Sequence, residues 1–132
     1  MPTLADIYPN FNDTTSIKDS GNRREFDTGA VRDMSEGKGR CDLLPACALL
    51  RLAKHYEAGA QKYESRNWER GIRISVMIDS GLRHILKYLD GQTDEDHLVA
   101  AAWNLMGAMW MEEKHPELQD IPSRQVKIAG IT

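Results

Sequence analysis

An all-α helical bundle is the fold class this sequence predicts, and three observations predict it. Apolar residues recur at helical spacing in three separate segments, the links between them are short, and capping or breaking residues stand near their ends. The first helix is expected from about Leu44 to Glu64, with Pro45 suited to its first turn and Leu50, Ala53, Glu57 and Ala60 on one stripe. The second runs from Ile74 to Leu89. It carries Ile78, Leu82, Ile85 and Leu89 on one side, has Asp79, Arg83 and Lys87 on an adjoining face, and is ended by Gly91. The third starts near TDEDHL, capped by Thr93 or Asp94, and continues to about His115, where Pro116 stops it. Leu98, Ala101, Leu105, Ala108 and Glu112 mark one of its faces, and Ala100, Asn104, Gly107 and Met111 the next; such small residues let helices approach closely.

The 132 residues make a single domain of sufficient size to bury a core, with residues 43–132 as its helical body. Residues 1–42 form a polar, turn-rich arm without sustained periodicity, too long to be an idle loop. It is expected to pack on the body, to order on ligand or to serve a neighbouring subunit. The tail, IPSRQVKIAGIT, has a short β-branched run compatible with an edge strand. The apolar stripes, with Trp103, Met106, Met109 and Trp110 spread around the third helix, are broader than three helices can cover among themselves. Oligomerisation is therefore expected to complete the bundle.

A net charge of -3 excludes the global positive field of a duplex-DNA binder, so phosphate binding must be local. Cys41 and Cys47 match neither a zinc-knuckle spacing nor a secreted disulfide framework and read as ordinary thiols in a reducing compartment. No segment approaches the roughly 20 apolar residues of a membrane span, and the N-terminus lacks a signal-peptide pattern; a cytoplasmic protein is expected.

Carboxylates at helical positions raise the functional question. Glu57 falls on the expected inward stripe of the first helix, Asp79 on the second, and Glu95 with Asp96 at the start of the third. Buried carboxylates need cations, either arginine or metal, and an oxygen-rich cluster suits Mg²⁺ or Mn²⁺. Lys62, Arg66, Arg83 and Lys87 supply the positive charge that an anionic phosphate-ester transition state requires. The plainer reading stands beside this one: Asp79 and Arg83 form an i,i+4 surface pair, and Asp94 to Asp96 complement a helix dipole. His84 and His97 are compatible with metal, but Asp96 precedes His97, the reverse of the HD phosphohydrolase order, and His84 reads as a supporting or packing histidine. Trp68, Trp103 and Trp110 read as core or interface aromatics, with Trp68 also able to stack on a base. Asn104 stays open between a buried hydrogen bond and a contact with ligand or a metal-bound water. The segment GAQKYESRNWERG, Gly59 to Gly71, reads as the basic rim of the pocket.

The ordered set RCDLLP, YEAGAQKY, RNWERG, DSGLRHILKYLDG and DEDHLVAAAWN, from about Arg40 to Glu113, resembles the phage and bacterial dATP/dGTP diphosphohydrolases. These are the MazZ-type branch of the MazG-like all-α NTP pyrophosphohydrolases. The resemblance implies metal-dependent hydrolysis of dGTP or dATP to the monophosphate and pyrophosphate, with Mg²⁺ or Mn²⁺, in a homodimer or homotetramer. In phages with 2-aminoadenine DNA such an enzyme would supply dGMP. The wider superfamily carries E-x-x-E and E-x-x-D motifs, and the chain departs from both: Ala60 stands three after Glu57, and Val99 and Ala100 follow Asp96 and His97 at the corresponding places. Carried over by motif, Glu57, Asp79, Glu95 and Asp96 are the metal candidates. Lys62, Arg66, Arg83 and Lys87 go to phosphate, and Asn67, Trp68 and Asn104 to sugar, base or water. Glu57, Asp79, Lys62 and Arg83 make up the catalytic set, one carboxylate serving as general base. The competing class is a non-enzymatic helical module that holds a nucleotide or single-stranded nucleic acid through its basic and aromatic segment; in the enzymatic reading no stable nucleic-acid or membrane partner is expected.

Overall fold

The computed structural model describes Asp6 and residues 19–125. The tail's β-branched run lies outside the described residues, as do most of the arm's first 18 positions. The chain resolves into two units, Met1–Leu43 and Leu44–Thr132.

In the first unit, β1 (Arg23–Glu25) and β2 (Val31–Asp33) pair antiparallel, with Arg24 opposite Arg32. Phe26 donates its amide to the Ala30 carbonyl at 2.9 Å, and Gly29 takes the left-handed conformation (φ 85°) that lets the link turn. Three residues per strand are too few for alternation to show in the sequence. Asp33 gathers the unit: it accepts from the Ser20 hydroxyl and amide, the Met34 amide and the Lys38 ammonium, and these donors hold its carboxyl far below the usual range.

The second unit is all-α, as the helical spacing predicts: α1 (Ala46–Lys62), α2 (Ile74–Leu89) and α3 (His97–Lys114). Pro45 is the residue flanking α1 rather than part of its first turn, and Tyr63 closes the helix by donating to the Gly59 carbonyl at 3.0 Å. Gly91, at φ 81°, follows the end of α2 as expected. At the start of α3 the cap is Asp96, whose carboxylate accepts from the Val99 amide at 3.2 Å, and not Thr93 or Asp94. Asp94 turns instead to the His97 ring, at 2.8 Å.

The core is built on α2 and α3. Ile74, Met77, Ala108 and Met111 are its buried centre, with Trp68, Ile72, Trp110, Leu118 and Ile121 packed around them. The axes approach closely because small residues stand at the contact. A methyl group on Gly107 would meet the Met77 side chain at 2.5 Å, and one on Gly81 would meet Asn104 Cβ at 3.4 Å. The face Ala100, Asn104, Gly107 and Met111 is buried as its small residues imply.

Two other stripes turn out differently. On α1 the buried position is Leu52, with Tyr56 and Gly59 beside it half-buried; Leu50, Ala53 and Glu57 are exposed on the other side of the helix. On α2 the face toward α3 runs through Ile74, Met77, Gly81 and the half-buried His84, and leaves Leu82, Leu86 and Leu89 exposed. Apolar spacing marks more than one face on each helix; on α3 the side with small residues takes the interior, and on α1 the Leu52 side does.

Two carboxylates bind elements together from a distance. Arg51 of α1 holds Asp96 through two bonds of 2.6 Å, so one aspartate both caps α3 and anchors α1. Asp120, beyond α3, accepts from the Ser75 amide at 2.9 Å and its hydroxyl at 2.5 Å, and so supplies the N-terminus of α2 with the carboxylate that Arg73 cannot offer. No helix among the described residues is long and apolar enough to cross a membrane.

Replacing Met111 with Ala, which empties a site of 0 % exposure, is expected to lower the unfolding free energy by about 2–5 kcal/mol in urea titration. The Ser75 hydroxyl and amide hold the Asp120 carboxyl below its ordinary value. Its contribution is therefore present above the unfolded pKa and lost as pH falls through the lower folded one. Asp120→Ala is accordingly expected to lower Tm at neutral pH, and to show a shallower fall of Tm below about pH 4 than the parent in scanning calorimetry. Parallel Tm curves for the two proteins would remove Asp120 as the acid-sensitive clasp.

Candidate functional site

The helices enclose a cavity of about 520 Å³, within the size range of small-ligand sites. Its apolar and aromatic wall comes from Tyr56 and Gly59 of α1, Trp68 and Ile72 of the following link, and Ala100 and Trp103 of α3. These aromatics brace one another. Trp68 stands edge-on to Trp110 with ring centres 4.9 Å apart and to Tyr56 at 6.0 Å, and Tyr56 lies 6.1 Å from Trp103. Burial pushes the Tyr56 hydroxyl above its ordinary pKa, so it stays a neutral donor.

One side of the cavity is basic. Lys62 is the last residue of α1, and Arg66 follows in a left-handed conformation (φ 61°) that turns the chain into the short 3-10 helix Asn67–Arg70. The helix does not last to Arg66, so the two cations are not successive on one helical face, yet the turn brings both to the cavity together with Asn67 and Trp68. Arg66 pairs with Glu69 and Arg70 with Glu64. Lys62 has no carboxylate partner among the described residues; its ammonium lies 5.2 Å from the centre of the Tyr63 ring.

The other side holds histidines. His84 of α2 borders the cavity and sets its Nδ1 3.0 Å from Nδ1 of His97, the first residue of α3, and 3.8 Å from a Glu95 carboxylate oxygen. The His97 side chain is 1 % exposed, and its Nε2 meets Asp94 at 2.8 Å. Burial lowers the His84 pKa from its ordinary value, opposed by the charge of Glu95 and reinforced by His97, so His84 is neutral at pH 7. Asp94 is held low by its bond to His97. Deeper along α3, Asn104 is buried. Its Nδ2 donates to the Ala100 carbonyl at 2.8 Å, the buried hydrogen bond expected of it, and its side chain also borders the cavity.

Of the residues expected from the sequence, the cavity brings together Lys62, Arg66, Asn67, Trp68, Glu95 and Asn104. The other carboxylates go elsewhere. Glu57 is exposed on the side of α1 away from Leu52, Asp79 pairs with Arg83 on the outer face of α2, and Asp96 is taken up by its cap and by Arg51. Lys87 also lies outside the cavity lining. The plainer readings, an i,i+4 ion pair for Asp79 and a helix cap for Asp96, thus describe these two side chains. Spacing marks the two histidines in the sequence: His84 continues the Ile74, Met77, Gly81 face by one step, and His97 stands one step before Ala100 and Asn104.

A sequence model of one family, described as dATP/dGTP diphosphohydrolase, N-terminal, matches residues 28–121. No curated protein and no solved structure matches the chain. The matched range covers more than half of the sequence and every residue that lines the cavity. An all-α body, a cavity with an aromatic wall and a basic side, and this match agree: the chain belongs to the dATP/dGTP diphosphohydrolase family, through that family's N-terminal region.

Proposed function

We propose that the chain hydrolyses a purine deoxynucleoside triphosphate, dGTP or dATP, to the monophosphate and pyrophosphate, with this cavity as its site. The observation that carries the reading is the convergence of stacking surfaces, an amide and two cations on one cavity in a member of this family. A purine stacks against the wall of Tyr56 and Trp103. Asn104, with Nδ2 already engaged, offers an acceptor oxygen that suits the exocyclic amino groups of adenine and guanine. Lys62 and Arg66 offset the triphosphate charge and its growth on the leaving pyrophosphate. At the opposite side, neutral His84 and Glu95 are acceptors for the proton that the attacking water gives up.

A divalent ion, Mg²⁺ or Mn²⁺, belongs to the same expectation and would supply further charge neutralisation at phosphate. The four carboxylates foreseen for it do not fit one ion within this chain. Glu95 borders the cavity, whereas Glu57 is on an outer face and Asp79 and Asp96 are bound to arginines. No step is assigned to that quartet.

Incubation with each dNTP and Mg²⁺ or Mn²⁺, followed by chromatographic separation, is expected to yield pyrophosphate and a purine deoxynucleoside monophosphate. Lys62→Ala is expected to raise KM about tenfold or more, the worth of one charge-assisted contact. Unchanged dGTP and dATP under all conditions would overturn the reading.

The exposed Leu82, Leu86 and Leu89 of α2, with Leu98 and Leu105 of α3, support a homodimer or homotetramer as the working state. Sedimentation velocity is expected to show one of these, and Leu86→Asp to shift it toward monomer; a monomeric parent protein at micromolar concentration would refute this.

A further inference from the structure

We infer that His84, Glu95 and His97 form a binding site for one first-row transition-metal ion of the Zn²⁺ or Co²⁺ class, facing the cavity. The existence of this site does not rest on the proposed hydrolysis; its use in catalysis does, and an ion held there would take over from His84 and Glu95 the activation of the water. One ligand atom from each of the three residues lies within 4.8 Å of the other two. The two imidazole nitrogens are 3.0 Å apart, and the carboxylate oxygen is 3.8 Å from the nearer. Adjacent donors about 3.0–3.4 Å apart are what metal–nitrogen bonds of roughly 2.1 Å require at octahedral or tetrahedral angles. Glu95, at the surface end of the triangle and about half exposed, would close the longer edges by a side-chain rotation.

Proton placement supports the same assignment. The Asp94 carboxylate accepts from His97 Nε2 at 2.8 Å, which places the ring hydrogen on that nitrogen. Its Nδ1 therefore presents a lone pair toward His84 and Glu95 from a side chain that is 1 % exposed. A carboxylate behind an imidazole, fixing the tautomer and raising the basicity of the opposite nitrogen, is the usual support of a histidine metal ligand. His84 presents a second lone pair from Nδ1 when its hydrogen sits on Nε2. Two imidazoles and one carboxylate favour Zn²⁺, Co²⁺ or Fe²⁺ over Mg²⁺, which prefers oxygen. The set also differs in kind from the four-carboxylate arrangement expected from the sequence. Because His84 and Glu95 border the cavity, the remaining coordination positions open toward the side where Asn104 stands.

The test is direct binding, without nucleotide. Metal-stripped full-length protein titrated with Co²⁺ is expected to develop visible d–d absorption that saturates at one ion per chain. Zn²⁺ should displace the signal, and millimolar Mg²⁺ should not. His84→Ala and Glu95→Gln are each expected to weaken binding at least tenfold. Asp94→Asn, which leaves all three ligands in place, is expected to weaken it about 10–100-fold through His97. The far-UV circular dichroism of each variant separates loss of the site from loss of the fold, and His84, half-buried rather than fully buried, is the safer substitution than His97. Absence of saturable Co²⁺ absorption, or wild-type affinity in a folded His84→Ala protein, would overturn the inference and leave an ordinary hydrogen bond between two imidazoles. Metal binding without dNTP turnover would instead count against the proposed reaction, and turnover without metal binding against this site.

Discussion

The close approach of α2 and α3 is the constraint on which the rest of the helical unit depends. Gly107 leaves the space that the Met77 side chain fills, and Gly81 brings the α2 backbone beside Asn104. Any larger residue at Gly107 would displace the end of the Met77 side chain from the space it fills between the helices. The same approach brings His84 to His97 across the top of the pair and sets Asn104 at the cavity. The residues that allow packing and those able to do chemistry alternate along one seam.

Charge is distributed around that seam so that most carboxylates are already satisfied. Asp79, Asp96, Glu64 and Glu69 each hold an arginine, and Asp120 holds the start of α2. Lys62, without such a partner among the described residues, keeps its charge available at the mouth of an otherwise apolar and aromatic chamber. An anion entering there meets one positive side and one side where the His84 imidazole is neutral. That polarity orients a long, asymmetric ligand more strongly than it attracts one, as local fields in a chain of net charge -3 should.

Helix number, order and limits were legible in the sequence because periodicity, Gly91 and Pro116 are local signals that act within a turn or two. Which side of each helix turns inward was less so. α1 carries apolar residues on more than one side, and the Leu52 side was chosen by fit against α3, a property of the pair that neither helix spells alone. The hairpin of residues 23–33 was hidden by its brevity. At the site, the basic and aromatic segment and Asn104 were legible by composition and position. The partners of the carboxylates were not: Arg51 and Asp96 are 45 residues apart, and no local pattern marks such a pair. The histidines announced themselves only as extensions of the small-residue faces, a signal that becomes meaningful once those faces are known to meet.

Asp120 sits 45 residues beyond Ser75 and closes the α2–α3 hairpin into a loop whose two ends are in contact. The first turn of a helix ordinarily frays, and its amides exchange with solvent without disturbing the remainder. Here the Ser75 amide is bonded by a residue that follows α3, which ties the first turn of α2 to the chain beyond the hairpin. The stretch that leads into α2, including the wall residues Trp68 and Ile72, packs on the same buried cluster that this clasp closes, rather than hanging as a loose loop.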